Sequence, residues 1–71
     1  MNIDAREIGQ RIKKLRKERG ISQEQLAAML GVTVNYMSRI EPGLRRASLD
    51  LLVDIAVLFD VTLDYLVMGK R

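Results

Sequence analysis

The sequence predicts an all-α fold, a compact bundle of five short helices. Five segments with apolar residues at helical spacing each follow an Asp, Ser or Thr of the kind that caps a helix N-terminus. Four of the five segments stop at a glycine or at a Pro-Gly pair, and no segment alternates apolar and polar residues as a strand would. Because 71 residues enclose one small core, residues 1–71 are expected to form a single domain.

The first helix is expected to begin at Asp4, whose carboxylate can accept hydrogen bonds from the free N–H groups of the first turn. Glu7 would complete a capping box, and Ile3 would pack on Ile8 as a hydrophobic staple. Gly20 is expected to end the helix, because glycine adopts the left-handed conformation by which the chain leaves the last turn.

The second helix is expected to begin at Ser22, where Gln25 can close a capping box, and to end at Gly31. The third begins at Thr33 and must stop before residues 42–43, Pro-Gly, since proline lacks the N–H that a helix needs. The two helices are joined by a tight turn, which makes residues 22–41 a helix-turn-helix. Its inward face comprises Leu26, Leu30, Val32, Met37 and Ile40.

A loop over residues 42–47 leads to a fourth helix from Ser48 to about Phe59, and a fifth begins at Thr62 and stops at Gly69. The fourth helix is apolar nearly all round, so it is either central or shared with another molecule. Simple burial is the favoured interpretation, and a shared interface is the alternative. The apolar residues are Leu49, Leu51, Leu52, Val53, Ile55, Ala56, Leu58 and Phe59.

The inventory of side chains excludes several classes of function. Cysteine and histidine are absent, which removes disulfides, zinc fingers, thiolate nucleophiles and imidazole catalysis. No apolar run approaches the ~20 residues of a membrane span, and the N-terminus lacks the order of a signal peptide. We therefore expect a cytoplasmic protein that is not an enzyme, binds no metal or cofactor and does not associate with a membrane.

The formal net charge of +3 conceals a segregation along the chain. Residues 1–47 hold ten basic and five acidic side chains, whereas residues 48–71 hold two basic and four acidic ones. An excess of cations in one half favours a polyanionic partner, although a run of charge is more often only a solvated helix surface.

Three stretches carry a resemblance to a known family: IGQRIKKLRKERGISQEQLA in the first half, GVTVNYMSRIE at the third helix and SLDLLVDIAVLFDVTLDYL in the last two. Together they resemble the DNA-binding domain of the lambda-repressor-like family (Cro and phage repressors), also called the xenobiotic-response-element family. The resemblance covers nearly the whole chain. It implies a sequence-specific transcriptional regulator, usually a repressor, that binds an inverted-repeat operator in double-stranded DNA as a homodimer.

In that family the third helix lies in the major groove. The resemblance therefore assigns base reading to the outward residues of this helix. An asparagine suits the edge of adenine and an arginine that of guanine, while the two β-branched residues suit the thymine methyl group. The alternative is that these are ordinary exposed helix residues. They are Thr33, Val34, Asn35, Ser38 and Arg39.

Phosphate contacts are expected at the start of the second helix, where Ser22 and Gln23 add side-chain donors to the free N–H groups and the positive end of the helix dipole. Arg45 and Arg46 follow in a loop that the family uses for backbone contact. Tyr36 is left open between a DNA-backbone contact and a place across the edge of the bundle. The basic residues of the first helix are expected to be mostly solubilising, with one or two near phosphate.

Arg16 resembles the family arginine that pairs with the glutamate at the end of the recognition helix, here Glu41, and the resemblance implies a structural ion pair. The loop departs from the family pattern at Pro42 and Leu44, where polar and basic residues are common. This loop is therefore expected to serve contacts between subunits as well as DNA. Together with the apolar excess of the fifth helix, it gives a candidate dimer surface of Leu44, Leu63, Val67 and Met68.

A second class of function remains open from the sequence. The chain could be an antitoxin-type or partner-regulated module, which binds DNA and also holds a second protein on its apolar, acidic C-terminal half. The absence of the disordered tail that many antitoxins use counts against this alternative, so the DNA-binding regulator is the favoured prediction.

Overall fold

The computed structural model describes residues 3–70, and these form five α-helices and no strand. The helices are α1 (Ala5–Glu18), α2 (Gln23–Leu30), α3 (Val34–Ile40), α4 (Leu49–Phe59) and α5 (Leu63–Met68). The all-α prediction and the five predicted helices are confirmed. None of these helices has the length and apolar character needed to cross a membrane.

Side-chain oxygens cap the helix N-termini where the sequence predicted them. In α2 to α5 a hydroxyl oxygen accepts the backbone N–H three residues further on; the capping residues are Ser22, Thr33, Ser48 and Thr62. In α2 the reciprocal bond from Gln25 is also formed, so this capping box is complete. Each cap satisfies a donor that would otherwise lack a partner, which is why short polar residues decide where these helices begin.

The N-terminus of α1 is capped differently from the prediction. The carboxylate of Asp4 accepts the backbone N–H of Arg6 at 2.9 Å. Glu7 does not return to the N–H of Asp4, and its carboxylate lies 3.4 Å from the guanidinium of Arg11. The predicted capping box at Glu7 is therefore wrong, because a cation one turn along the helix attracts the carboxylate instead.

The core lies where the five helices meet, with α3 packed on α1 and α2, and α5 packed on α1 and α4. Burial of apolar side chains from every helix provides most of the driving force for folding. The buried set is Ile8, Ile12, Leu15, Leu26, Ala27, Met37, Ile40, Leu51, Leu52, Ile55, Ala56, Phe59, Tyr65 and Leu66.

The C-terminal end of α3 lies close to the backbone of α1 at Gly9. Gly9 is buried there, and a Cβ atom on this residue would overlap the backbone carbonyl oxygens of Ile40 and Glu41. Glycine alone allows so close an approach of two backbones. The contact fixes the end of α3, and hence the direction in which its outer face points, against the longest helix of the bundle.

Two arginines of α1 bind the C-terminal ends of the last two helices. Arg11 Nη1 donates to the carbonyl of Leu66 at 3.0 Å, and Arg19 Nη2 donates to the carbonyl of Phe59 at 3.1 Å. The guanidinium of Arg19 also lies 5.3 Å from the centre of the Phe59 ring. The last carbonyls of a helix lack intrahelical partners, so these cations stabilise both ends. These two arginines are therefore exceptions to the expected solubilising role of most basic residues in this segment.

The outer side of α4 is apolar and exposed. Leu49, Val53 and Val57 are 66%, 44% and 76% exposed, and their spacing of four residues aligns them in one row, the α4 stripe. The predicted burial of Leu49 and Val53 is wrong, because α4 packs mainly on α2 and α5 and, within residues 3–70, no helix covers these two side chains.

Candidate nucleic-acid interface

The outer face of α3 is polar and open, whereas its inner face lies in the core. Met37 and Ile40 are buried, as the inward pattern of the helix-turn-helix requires. All five residues predicted to read bases are exposed: Thr33, Val34, Asn35, Ser38 and Arg39. A helix presented in this way is of a size that the major groove of B-form DNA admits.

Two side chains on this face keep their full hydrogen-bonding capacity. Within residues 3–70, the amide of Asn35 and the guanidinium of Arg39 have no polar partner. By contrast, the Ser38 hydroxyl donates to the carbonyl of Asn35 at 2.7 Å, and Thr33 Oγ1 accepts the N–H of Tyr36 at 3.1 Å. Asn35 and Arg39 are therefore the residues of α3 best equipped for paired hydrogen bonds with base edges.

The start of α2 lies beside the end of α3. Ser22 uses its hydroxyl oxygen and its N–H in the capping box, at 3.0 and 2.8 Å from Gln25, and keeps its hydroxyl hydrogen for another acceptor. Gln23 Nε2 donates to Glu41 Oε1 at 3.0 Å, which leaves one amide hydrogen of Gln23 for a phosphate.

A bidentate ion pair between Arg16 and Glu41 lies beneath this surface. Arg16 Nε and Nη2 donate to the two carboxylate oxygens of Glu41 at 2.8 and 3.0 Å, and Nη1 donates to the carbonyl of Ile21 at 2.9 Å. Both side chains of the pair are buried. The hydrogen bond to Glu41 raises the pKa of Arg16 above its usual value, which outweighs the lowering effect of burial. The pair thus joins α1, the entry to α2 and the end of α3.

Tyr36 lies across the edge of the bundle, and its ring supports a cation. Its hydroxyl oxygen accepts the backbone N–H of Ser48 at 3.2 Å, so the hydroxyl hydrogen remains available as a donor. The guanidinium of Arg45 lies 5.2 Å from the centre of the ring. Both side chains line a cleft with three of the outward residues of α3. The edge position is thus compatible with a contact to the DNA backbone.

The structure separates the two arginines that were predicted to bind phosphate. Arg45 stacks on Tyr36 beside the outer face of α3. Arg46 turns toward the N-terminus, where its Nη2 donates to the carbonyl of Ile3 at 3.2 Å. Of the two, only Arg45 is held beside the residues predicted to read bases.

The residues of the candidate dimer surface differ in exposure. Leu44 is 72% exposed, but Leu63 and Val67 are half-buried and pack against the core, and Met68 is half-buried. The α4 stripe exposes more apolar side chains than this candidate dimer surface does. The sequence analysis did not single out Val57, although Val57 continues the four-residue spacing of Leu49 and Val53. Because the helix is apolar nearly all round, helical periodicity could not show which side is covered.

The outer face of α3 and its neighbours can bind a partner through hydrogen bonds and charge. Within the described part of the chain, no group of three or more acidic side chains is placed to hold a metal ion. The carboxylates of α4 and α5 are exposed, and they belong to Asp50, Asp54 and Asp64. The face of α3 and its neighbours therefore offers donors and cations to an anionic partner.

Comparison with known proteins agrees with the geometry. The model of the helix-turn-helix family matches residues 12–66. The HTH-type transcriptional regulator SinR of Bacillus subtilis is 41% identical over 65 residues, which are 90% of this chain and 59% of SinR. The chain thus spans about three fifths of the length of this curated relative.

Solved structures with the same fold include two that contain DNA. A structure of SinR in complex with DNA superposes with a TM-score of 0.76 at 42% identity, covering 83% of this chain and 95% of that one. SinR in its complex with SinI gives 0.80 at 40% identity, covering 90% of this chain and 63% of that one. The P22 c2 repressor, bound to a synthetic operator, gives 0.82 at 28% identity, covering 89% and 96%. These likenesses confirm the predicted fold.

Proposed function

The chain belongs to the helix-turn-helix family of lambda-repressor-like domains, and from this premise we propose that it binds double-stranded DNA sequence-specifically and represses transcription. Its relative SinR has been solved in complex with DNA, and the P22 c2 repressor with an operator, which supports a DNA partner for the same fold here. The predicted cytoplasmic location stays a prediction.

One observation carries the proposal, the unpartnered pair of side chains on the outer face of α3. Asn35 and Arg39 project from the same side of the helix as Thr33, and neither spends a donor on the rest of the described chain. Paired bonds from Asn35 to adenine and from Arg39 to guanine each discriminate against a wrong base by about 1–3 kcal/mol. A helix end clamped by Gly9 and by the Arg16–Glu41 pair presents both side chains from a fixed scaffold.

Phosphate groups would then be bound on both sides of α3. On one side are the free hydrogens of Ser22 and Gln23 at the N-terminus of α2, where the helix dipole favours an anion. On the other side are Arg45 and the hydroxyl hydrogen of Tyr36. Contacts of this kind orient the protein on the duplex without reading its sequence.

We further propose that two copies bind an inverted repeat, with α3 helices entering the major groove one helical turn apart, about 34 Å. The α4 stripe and Leu44 supply the exposed apolar area that a second copy would cover. In a two-fold symmetric dimer both copies use the same surface patch, so the α4 stripe of one copy would pack against the α4 stripe of the other.

Selection of bound sequences from a random duplex pool tests this function. An inverted repeat with two preferred base pairs per half-site is the expected result, and absence of binding to any duplex would refute the proposal. Sedimentation of the complex on the selected site should give two protein copies per duplex. Val57→Asp in the α4 stripe should weaken binding of the second copy and dimer formation of the free protein. Met29→Asp, which changes an exposed apolar residue on α2, is the control and should leave dimer formation of the free protein unchanged.

A partner-regulated module is the second candidate, because the α4 stripe is uncovered in the isolated chain and the relative SinR has been solved with SinI. If the purified protein stays monomeric off DNA and binds single half-sites, while Val57→Asp changes neither property, the stripe serves no second copy. That result would favour the partner-regulated alternative.

A further inference from the structure

An open polar groove continues the outer face of α3 onto α1. It has a volume of about 440 Å³ and is lined by residues of four segments: Arg6, Gln10, Lys13, Gln23, Ser38 and Pro42, with Glu41 at its base. We call this the α1 groove. Gln23 and Ser38 belong both to the proposed interface and to this groove, so the two surfaces are continuous.

The α1 groove is cationic, because its single carboxylate is already neutralised. Glu41 accepts both hydrogen bonds from Arg16 and a third from Gln23. The exposed side chains of Arg6 and Lys13 have no ion-pair or hydrogen-bond partner among residues 3–70. The groove thus offers two free cations and the second amide hydrogen of Gln23, all donors that suit an oxyanion.

The position of the groove matches the geometry of a duplex around α3. The cleft that holds Arg45 lies on the Tyr36 side of the helix, whereas the α1 groove lies on the Ser38 side, beyond the start of α2. A major groove is about 12 Å wide and is bordered by the phosphates of both strands. A helix inserted in it therefore has a phosphate backbone on each side. Arg45 lies on one side, and the α1 groove lies on the other, next to Gln23.

We propose that the α1 groove binds a phosphodiester of the second strand, with Lys13 and Arg6 as the cationic ligands and Gln23 between them and α3. This inference rests on the proposed DNA binding and extends it to a contact from α1. Such a contact adds affinity to every sequence alike and no base preference. Of the lysines on α1, Lys13 lines this groove, and its neighbour Lys14 does not.

Salt titrations of binding to the selected duplex test the inference. Lys13→Ala and Arg6→Ala should each make the slope of log K against log[salt] shallower by about 0.9, the value for one phosphate contact. Base preferences should stay those of the wild type. Lys14→Ala is the matched control and should keep the wild-type slope. Thermal unfolding should be unchanged in all three variants, because these side chains are exposed and have no side-chain partner.

A measurement on the DNA keeps the test independent of how the variants fold. Neutral methylphosphonate placed at single backbone positions should weaken wild-type binding at each contacted phosphate, and Lys13→Ala should be insensitive to the substitution at one of these positions per half-site. If the wild type binds DNA but Lys13→Ala and Lys14→Ala behave alike, or no methylphosphonate position depends on Lys13, the inference is wrong while the proposed function stands. If the wild type binds no duplex, the proposed function itself fails.

Discussion

Gln23 Nε2 donates to the same carboxylate of Glu41 that receives both hydrogen bonds from Arg16. A residue at the start of α2, on the proposed DNA face, is thereby tied to a buried ion pair of the bundle. The Glu41 carboxylate therefore both pairs with Arg16 and orients Gln23, a predicted phosphate ligand. Loss of Glu41 should therefore affect both folding and binding.

The first prediction concerns the stability of the Arg16–Glu41 pair. Glu41→Leu leaves a buried guanidinium without its partner and should cost about 3–5 kcal/mol of unfolding free energy. The double variant Arg16→Met with Glu41→Leu should be much milder, because no charge remains buried. Chemical denaturation of the wild type, of Glu41→Leu and Arg16→Met alone, and of the double variant gives the coupling energy. A coupling near zero would contradict the ion pair's role.

Arg16 should contribute little to the pH dependence of stability near neutrality. The pKa of Arg16 is raised in the folded protein, so its stabilising effect is fully present below the ordinary arginine range and is lost only as pH rises through the raised value. Between about pH 6 and 9 this group should therefore leave the unfolding free energy unchanged.

The second prediction is that Gly9→Ala destabilises the domain by overpacking. The new methyl group would overlap the carbonyl oxygens of Ile40 and Glu41, and a strained packing change of this kind costs about 1–3 kcal/mol or more. Gly20→Ala is the control. A Cβ at Gly20 meets open space, but the backbone there has a φ of 68°. This variant therefore measures the cost in stability of the left-handed backbone alone, about 1–2 kcal/mol. Gly9→Ala should also shift α3, so DNA affinity should fall further than stability alone explains, whereas Gly20→Ala should affect only stability.

The third prediction distinguishes the two loop arginines. Arg45→Ala should weaken binding to all duplexes alike and make the salt dependence shallower, since a phosphate contact is lost. Arg46→Ala should keep the wild-type slope, because its guanidinium is engaged with the carbonyl of Ile3. Equal effects of the two substitutions would show that Arg46 leaves that carbonyl when DNA binds.

The fourth prediction concerns specificity. Arg39→Ala should cost about 1–3 kcal/mol of binding free energy and relax preference at one symmetric pair of positions, because only that base edge loses its partner. Asn35→Ala should do the same at a different pair. Repeating the selection with each variant measures both effects. A uniform loss of affinity for every sequence would identify Arg39 as a phosphate ligand instead.

The ends of the helices followed from the sequence because capping is local. A hydroxyl at Ser22 or Ser48 reaches an N–H three residues away, and Gly31 and Gly69 close helices with left-handed backbones. Asp60 does the same at a φ of 55° after α4. The inward and outward faces of α3 also followed, because a helical period fixes which side chains share a face.

Only the tertiary structure decided which groups from distant segments meet. Arg11 and Arg19 look like solvated cations in the sequence, and their partners, the carbonyls of Leu66 and Phe59, lie 55 and 40 residues away. Gly9 likewise has no local signature, since its requirement for a missing Cβ comes from the end of α3.

The same distinction explains the two faces that matter most for function. The sequence determined that α4 is apolar nearly all round, but only the packing of its neighbours shows that the row through Val53 is uncovered. The sequence also determined that Gln23 and Lys13 are polar residues on helices. Their convergence on one groove depends on the crossing of α1, α2 and α3, which is set by long-range packing and by the backbone contact at Gly9.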